Sequence, residues 1–242
     1  MAASLAAYEE YLSRQHLDEE KRHLCFGAHT AGGTHHAFKD YGEGFCIFSD
    51  IAVAANVLLQ QYGPSTSFAK ANDALTIHRI LIIDLDVHQG NGNAALFAEN
   101  KHVKTFSMHC LGNYFSKREV SDLDIELPVG CGDETYLSTL QYWLNEIEKH
   151  TFDDHVEGRK QFDFIFFQAG VDIITEDRLG RLSVSKEGIS KRNKIVFDFA
   201  TRLKAPLCIT MGGGYPNKDW TPILDAHANV YIQAHKYLMN KS

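Results

Sequence analysis

Short apolar segments that are each bounded by polar or glycine-rich residues limit the fold of this chain more than any other feature. Residues 80–83, 105–106, 162–167 and 207–211 form such segments, and 24–26 is a shorter one. They lack regular alternation of apolar and polar residues. This pattern is typical of strands in a parallel sheet whose two faces are both covered.

Helical patterns separate these predicted strands. Residues 50–62 place apolar side chains on one face and follow Ser49, which we expect to be the N-cap. We expect Asp133 to cap a second helix, and further helical patterns cover residues 189–203 and the segment after Thr221. Strands that alternate with helices predict an α/β fold with a doubly wound, mainly parallel sheet flanked by helices.

The composition is that of a globular protein with little tendency to bind nucleic acid. The chain has 242 residues, of which 44% are hydrophobic, so we expect one domain spanning 1–242. Its 24 basic and 31 acidic residues give a net charge of −7. This negative charge opposes direct contact with a phosphate backbone. We expect residues 150–160 to form a solvated loop.

The cysteines and the N-terminal segment indicate the compartment. The chain has five cysteines, an odd number, and no C-x-x-C pair, which favours a reducing environment. The first residues lack the basic start of a secretory signal, and no apolar run is long enough to span a membrane. We therefore expect an intracellular protein of the nucleus, the cytoplasm or both, although the basic residues at 191–194 are too sparse to predict nuclear import.

Polar and glycine-rich motifs follow the predicted strands. They are Gly32-Gly33-Thr34-His35-His36, the segment 84–92 (D-L-D-V-H-Q-G-N-G), the segment 168–172 (Q-A-G-V-D) and the segment 212–215 (G-G-G-Y). Parallel α/β sheets bind ligands beyond the carboxyl ends of their strands. The four motifs therefore predict one shared site.

Asp86, His88 and Asp172 are the candidate metal ligands. Asp86 and His88 are two residues apart, so both side chains project to one side of an extended segment. Three protein ligands leave a position open for water, as in catalytic metal sites. This donor set suits Zn²⁺ but also Fe²⁺, Co²⁺ or Mn²⁺.

Each motif also has a simpler interpretation when it is taken alone. D-x-D-x-H also occurs in magnesium phosphatases and at strand ends with surface carboxylates. The His35-His36 pair also fits an ordinary polar turn, and the glycine run at 212–214 fits a tight turn or a phosphate loop.

Together and in this order, the four motifs resemble those of the zinc-dependent histone deacetylases and their bacterial acyl-amide hydrolase relatives, which have the arginase/deacetylase α/β fold. The resemblance covers residues from about 24 to 235. Gln89 stands where most members have a second histidine, and this position and the segment 177–180 (D-R-L-G) resemble the class IV branch.

The resemblance implies a catalytic set. One Zn²⁺ per chain, held by Asp86, His88 and Asp172, would polarise an acyl-lysine amide and acidify a water molecule. His36 would be the general base and then the acid, and His35 would hydrogen-bond the water. The remaining roles are Asp84 behind His35, Asn91 behind His36 and Tyr215 as the oxyanion donor.

The resemblance also implies a substrate tunnel and a second ion. Gly44 and Phe45 would form one tunnel wall, Tyr114 or Phe115 the other and Leu179 the rim, while Gly213 and its neighbours let the backbone bend close. A structural K⁺ would bind near Asp84, Asp86, His88, Ser107 and Met108.

Two features depart from the family pattern. Asn91 replaces the aspartate that many relatives place behind the general base, so we expect His36 to be less basic. Only about thirty residues precede His35, and the usual N-terminal part of the family domain is missing. We expect either a short isoform or fragment, or a helix over residues 1–23 that replaces the lost part. A sheet that lacks a flanking strand would favour aggregation or dimerisation.

Three functions remain open from the sequence. The first is a protein lysine deacylase acting on substrates such as histone tails, and the second is a small-molecule amidohydrolase of the acetylpolyamine type. The third is a truncated, weakly active form that serves as a binding partner in a complex. A dimanganese, arginase-type enzyme is disfavoured because it needs more Asp and His ligands than these motifs provide.

Overall fold

Six parallel strands form one sheet in the computed structural model, which describes residues 1–18, 24–71, 73–114, 116–149 and 161–239. Their spatial order is β1-β6-β5-β2-β3-β4. The strands are β1 (Phe26–His29), β2 (Ile80–Asp84), β3 (Val103–Cys110), β4 (Leu123–Leu127), β5 (Phe164–Gln168) and β6 (Leu207–Thr210). This architecture confirms the predicted α/β class and the parallel sheet.

Helices cover both faces of the sheet. They are α1 (Ala2–Ser13), α2 (Asp50–Tyr62), α3 (Ser67–Ala71), α4 (Asn91–Phe97), α5 (Asp133–Glu148), α6 (Lys186–Leu203) and α7 (Thr221–Met239), with a 3₁₀ turn at Asp73–Leu75. One apolar layer joins the sheet to α1 and α2, and the other joins it to α5, α6 and α7. Within the described part of the chain, no helix combines the length and the apolar composition needed to cross a bilayer.

The central strands β2 and β5 are apolar except for their last residues because each face contacts its own layer of helices. Ile80 and Ile82 of β2 belong to the layer with α1 and α2, whereas Leu81 and Ile83 belong to the layer with α5 to α7. In the neighbouring strand β5, all five residues are buried. Because helices cover both faces, successive residues within these strands are apolar. A sheet covered on one face only would instead alternate apolar and polar residues.

The order of the strands places a crevice at the centre of the sheet. From β2 the chain continues outward through β3 and β4, and β5 then returns to pair with the other side of β2. Strand order reverses at this point, and ligands of open α/β sheets bind beyond the carboxyl ends of the strands there. The four predicted site motifs follow β1, β6, β5 and β2, which are neighbours in this order.

The two predicted caps had different outcomes. Ser49 caps α2, and its side chain accepts a hydrogen bond from the Ala52 amide. The prediction for Asp133 was wrong, because Gly132 is the N-cap of α5 and the Asp133 carboxylate accepts two hydrogen bonds from Ser185 instead. Asp133 thus joins α5 to the start of α6.

The N-terminal helix is shorter than predicted. α1 ends at Ser13, and residues 19–23 lie outside the described residues. α1 packs on β1 and β6, and the Gly27 Cα lies so close to the Ala3 carbonyl that no side chain fits between them. The predicted loop at 150–160 and the candidate tunnel residue Phe115 also lie outside the described residues. Strand β4 and the short helices α3 and α4 were not predicted.

Candidate active site

The three candidate metal ligands meet beside the carboxyl ends of β2 and β5. Asp86 and His88 follow β2, and Asp172 follows β5. Their potential ligand atoms lie within 4.8 Å of one another, and all three residues are buried. The two carboxylates lie 3.1 and 3.3 Å from the His88 Nδ1. The strand pairing thus brings together residues that are far apart in the chain.

Backbone amides hold the two carboxylates in place. The Val87 amide donates to the Asp172 Oδ1 at 2.9 Å, and the Gly213 amide donates to the Asp86 Oδ2 at 2.7 Å. Gly213, which was expected beside the tunnel, therefore lies behind the metal ligands. The Asp172 Oδ2 is buried, and among the described residues it has no hydrogen-bond partner beyond its 3.3 Å contact with the His88 Nδ1.

The ligand cluster favours binding of a positive charge. Burial opposes protonation of His88, but its hydrogen bonds with Asp172 and Asp86 outweigh this effect and raise its pKa to about 10. Burial and the Asp86 charge raise the pKa of Asp172 to about 7. The cluster therefore holds a proton at neutral pH, and a metal ion would replace it.

His35 and His36 lie beside this cluster with different partners. The His35 Nδ1 donates to the Asp84 carboxylate at 2.7 Å, and the His36 Nδ1 lies 2.7 Å from the Asn91 Oδ1. Their ring centroids are 4.0 Å apart, and both residues are buried. One histidine therefore has a charged partner and the other a neutral one.

These partners separate the pKa values of the two histidines. Burial alone would lower the pKa of His35, but Asp84 and Asp86 raise it to about 9. Burial and the positive charge of His35 lower the pKa of His36 to about 2, more than the hydrogen bond with Asn91 raises it. In the metal-free site, His36 is thus the neutral imidazole at neutral pH. The direction agrees with the expectation that an amide partner leaves His36 less basic.

A cavity of about 430 Å³ opens over these residues. Its wall includes the predicted tunnel residues Gly44, Phe45 and Leu179, together with His36, His88, Gly112, Asn113, Tyr114, Arg181 and Tyr215. Burial and the charges of Asp86 and Asp172 raise the pKa of Tyr215, so its hydroxyl stays a hydrogen-bond donor across the physiological range.

The residues named for a monovalent cation come from β2, the segment that follows it, and the neighbouring strand β3. Ser107 and Met108 are in β3, and Ser107 pairs in register with Asp84 of β2. The Ser107 hydroxyl and the His109 Nδ1 are 3.0 Å apart. Binding of K⁺ stays a prediction.

Three residues that support the site were missed from the sequence. The Glu43 carboxylate accepts hydrogen bonds from Asn91 and Tyr114, and the Asp177 carboxylate accepts one from the Tyr215 amide. Arg192 is fully buried and donates to the carbonyls of residues 169 and 170, whereas in the sequence it stood out only as one of the sparse basic residues at 191–194. A charged residue within an otherwise apolar helix face was the available signal for Arg192.

Comparison with known families and proteins gives consistent matches. The histone deacetylase domain model matches residues 1–231. An uncharacterized protein of Picosynechococcus sp. is 40% identical over 77% of this chain and 55% of the relative. Histone deacetylase 2 of Arabidopsis thaliana is 31% identical over 84% of this chain and 47% of the relative. The chain spans about half the length of these curated relatives.

Solved structures agree with the observed fold. An HDAC homolog from Aquifex aeolicus has a TM-score of 0.62 and 25% identity, covering 87% of this chain and 51% of that chain. The HD domain of HDA15 has a TM-score of 0.58 and 24% identity, covering 88% of this chain and 54% of that chain, and this likeness concerns the fold. These matches confirm the arginase/deacetylase-like fold.

Proposed function

Because the chain belongs to the histone deacetylase family, we propose that it is a zinc-dependent amide hydrolase that removes acetyl or other acyl groups from lysine side chains of proteins. The observation that carries the proposal is the convergence of a metal-ligand cluster, two histidines with opposite pKa shifts and one tyrosine at a single cavity. Histone tails are the predicted substrates.

The residues present fit a divalent metal ion. Two carboxylates and one imidazole are ligands that Zn²⁺ accepts, and the buried Asp172 Oδ2 lacks another partner among the described residues. Asp86, His88 and Asp172 would hold the ion. When bound, it supplies a Lewis acid for the substrate carbonyl and lowers the pKa of water.

His36 has the properties of the general base. Its Nδ1 is engaged with Asn91, so the Nε2 is free to take a proton from water and later to return it to the leaving lysine amine. His35, with its raised pKa, keeps its proton and can donate a hydrogen bond to the attacking water or to developing negative charge.

Tyr215 and the cavity wall would position the substrate. The protonated Tyr215 hydroxyl is a donor for the oxygen that becomes negative as the amide is attacked. The rings of Phe45 and Tyr114 line the same cavity, and they offer apolar surfaces to the methylene groups of an extended lysine side chain.

Loss of metal on substitution of a ligand tests the proposal. Asp172→Ala should abolish stoichiometric zinc binding and turnover of an acetyl-lysine peptide, because it removes one of three ligands. Elemental analysis and a peptide deacetylation assay measure the two effects. Full metal content in the variant would contradict the assignment of this ligand.

A parallel assay with acetylspermidine separates the alternative substrates. The net charge of −7 suits a cationic small molecule, but it decides little because a basic protein tail is cationic as well. Turnover of acetylspermidine but not of peptide would replace the proposed function by small-molecule amide hydrolysis. Absence of both activities in the zinc-loaded protein would support a role as a binding partner.

A further inference from the structure

Glu43 lies in a tight hairpin beside the candidate general base. Its backbone pairs with Cys46 through two hydrogen bonds of 2.9 and 2.7 Å, and Gly44 and Phe45 between them both have positive φ. Such a two-residue turn is favourable for glycine and costly for phenylalanine. The turn directs the Glu43 side chain toward Asn91, away from the solvent-exposed Phe45.

The Glu43 carboxylate accepts hydrogen bonds from three side chains. The Asn91 Nδ2 lies 2.8 Å from it, the Tyr114 hydroxyl 3.1 Å and the Ser116 hydroxyl 2.9 Å. An ionised carboxylate only accepts hydrogen bonds, so all three groups must present their protons to it. Glu43 therefore joins the turn at 43–46 to α4 and to the loop that follows β3.

This arrangement removes an ambiguity that an asparagine would otherwise leave. An amide can present either its oxygen or its nitrogen to a histidine, and the two choices favour opposite tautomers of the imidazole. Because Glu43 holds its Nδ2, Asn91 turns its Oδ1 toward the His36 Nδ1. The Gly92 amide also donates to this Oδ1, at 3.0 Å. The proton of neutral His36 then resides on Nδ1.

Tyr114 provides a second connection between Glu43 and His36. The Tyr114 ring stacks on the His36 ring with a centroid distance of 4.3 Å and an interplanar angle of 10°. Its hydroxyl donates to Glu43, so the same carboxylate restrains both the edge and one face of the imidazole. The pKa of Tyr114 is raised by burial and by its hydrogen bond with Glu43, which keeps the hydroxyl a donor.

We propose that Glu43 is a positioning residue that fixes the tautomer and the orientation of His36 through Asn91 and Tyr114. It acts without touching the substrate, and it leaves the His36 Nε2 unprotonated and directed into the cavity. The inference rests on the proposed function, since that function assigns proton transfer to His36. No proton moves along the Glu43–Asn91 hydrogen bond.

Nitrogen NMR of histidine-labelled protein tests the tautomer without any turnover. In the wild type, we expect the His36 signals of a single Nδ1-protonated form. Glu43→Ala should add a second, Nε2-protonated population, whereas Asp40→Asn, which neutralises an exposed carboxylate of the same loop, should leave the signals unchanged. An unchanged tautomer in Glu43→Ala, with the protein folded, would overturn the inference.

Kinetics of the zinc-loaded enzyme test the functional consequence. Glu43→Ala should lower kcat by roughly 10-fold with little change in KM, because the loss concerns the orientation of a group used in the reaction rather than binding. Glu43→Gln keeps the size and one acceptor atom, so its effect should be smaller. Equal kcat values for the wild type and Glu43→Ala would contradict the role.

A compensating pair tests the contact itself and keeps the two proposals separate. Asn91→Asp alone places two carboxylates at hydrogen-bond distance and should destabilise the fold, whereas the double variant Asn91→Asp/Glu43→Gln restores one donor and one acceptor. In urea unfolding, the double variant should lose less free energy of unfolding than the sum of the losses in the two single variants. Additive effects would contradict the contact. A wild type that is inactive on every substrate would contradict the proposed function. The NMR and urea measurements would still test the role of Glu43, because they do not require turnover.

Discussion

The chemistry proposed for this site depends on single side chains with shifted pKa values. The Tyr215 hydroxyl stays protonated because burial and two nearby carboxylates oppose its ionisation. Its amide is held by Asp177 at 2.5 Å, which places the backbone of the residue independently of its ring. The hydroxyl can therefore be removed without loss of the local backbone structure.

Tyr215→Phe should lower kcat by about 10²–10³-fold with little change in KM. This is the scale of one oxyanion donor, and the donor acts on charge that develops only in the transition state. Steady-state kinetics on an acetyl-lysine peptide measure the effect, and circular dichroism controls for folding. An unchanged kcat would mean that Tyr215 does not contact the oxyanion.

The residue that hydrogen-bonds to the His36 Nδ1 should determine where the acid limb of the kcat/KM profile lies on the pH scale. A carboxylate in place of the Asn91 amide stabilises the imidazolium, so it should raise the pKa of His36 and move the acid limb of kcat/KM to higher pH. The structure shows that Glu43 faces the same position. In Asn91→Asp alone, the two carboxylates would share a proton. This adds less negative charge beside His36 and therefore reduces the shift of the acid limb.

The full pH shift should therefore appear in the double variant Asn91→Asp/Glu43→Gln, compared with Glu43→Gln as its control. The carboxylate introduced at position 91 then faces a neutral amide at position 43 instead of a second carboxylate. The measurement is the pH dependence of kcat/KM for both proteins. An acid limb that stays in place or moves to lower pH would show that residue 91 is not the partner of the general base.

At the scale of elements, α6 supports the loop that carries Asp172. Arg192 of α6 is fully buried, its guanidinium lies 5.3 Å from the centre of the Phe167 ring, and it donates to the Gly170 carbonyl. A buried cation of this kind anchors the segment between β5 and the third metal ligand. It also places positive charge behind the acidic cluster.

Arg192→Ala should lower the free energy of unfolding by about 3 kcal/mol, since it leaves a cavity and buried carbonyls without their charged donor. Arg202→Ala on the same helix is the matched control. Arg202 forms a partly exposed ion pair with Glu148 at 2.9 Å, so its loss should cost less than about 1 kcal/mol. Equal losses in urea unfolding would refute the anchoring role of Arg192.

At the scale of the whole molecule, the outer edge of β1 is open. β1 pairs with β6 on one side, and within the described ranges no strand pairs with its other side. α1 packs against β1 and β6. Since Cys25 accepts a hydrogen bond from the Leu207 amide, the alternating pattern directs the amide of Ala28 outward. An edge of this kind is a template for pairing with another chain.

We therefore expect this chain to self-associate as its concentration rises. Ala28→Pro removes one outward donor and should weaken the association with little loss of stability, because proline is tolerated on sheet edges. Sedimentation velocity over a concentration series measures both proteins. A wild type that stays monomeric at all concentrations would show that the open edge of β1 does not recruit another chain.

The α/β class, the main strands and the residues of the candidate site could be predicted from the sequence. Residues 80–83 predict β2 because an apolar run without alternation requires cover on both faces. Asp86 and His88 could be assigned to one site because they are only two residues apart. Asp172 and Tyr215 could be assigned to the same site from the order of the four motifs along the chain. The end of α1 was missed because its apolar residues do not form a clear helical stripe. Strand β4 was missed because this edge strand (L-D-I-E-L) alternates apolar and acidic residues and is not a continuous apolar run like the central strands.

The amino-acid sequence by itself thus determined which residue types follow each strand, and with them the family and the candidate metal-ligand set. Only the tertiary structure decided how the loops meet. Glu43 lies 48 residues from Asn91 and 71 from Tyr114, and no local spacing connects them. Arg192 became a buried anchor because its helix packs against β5. Contacts between distant segments depend on how the elements pack, whereas the chemistry of a strand end depends on the few residues that follow it.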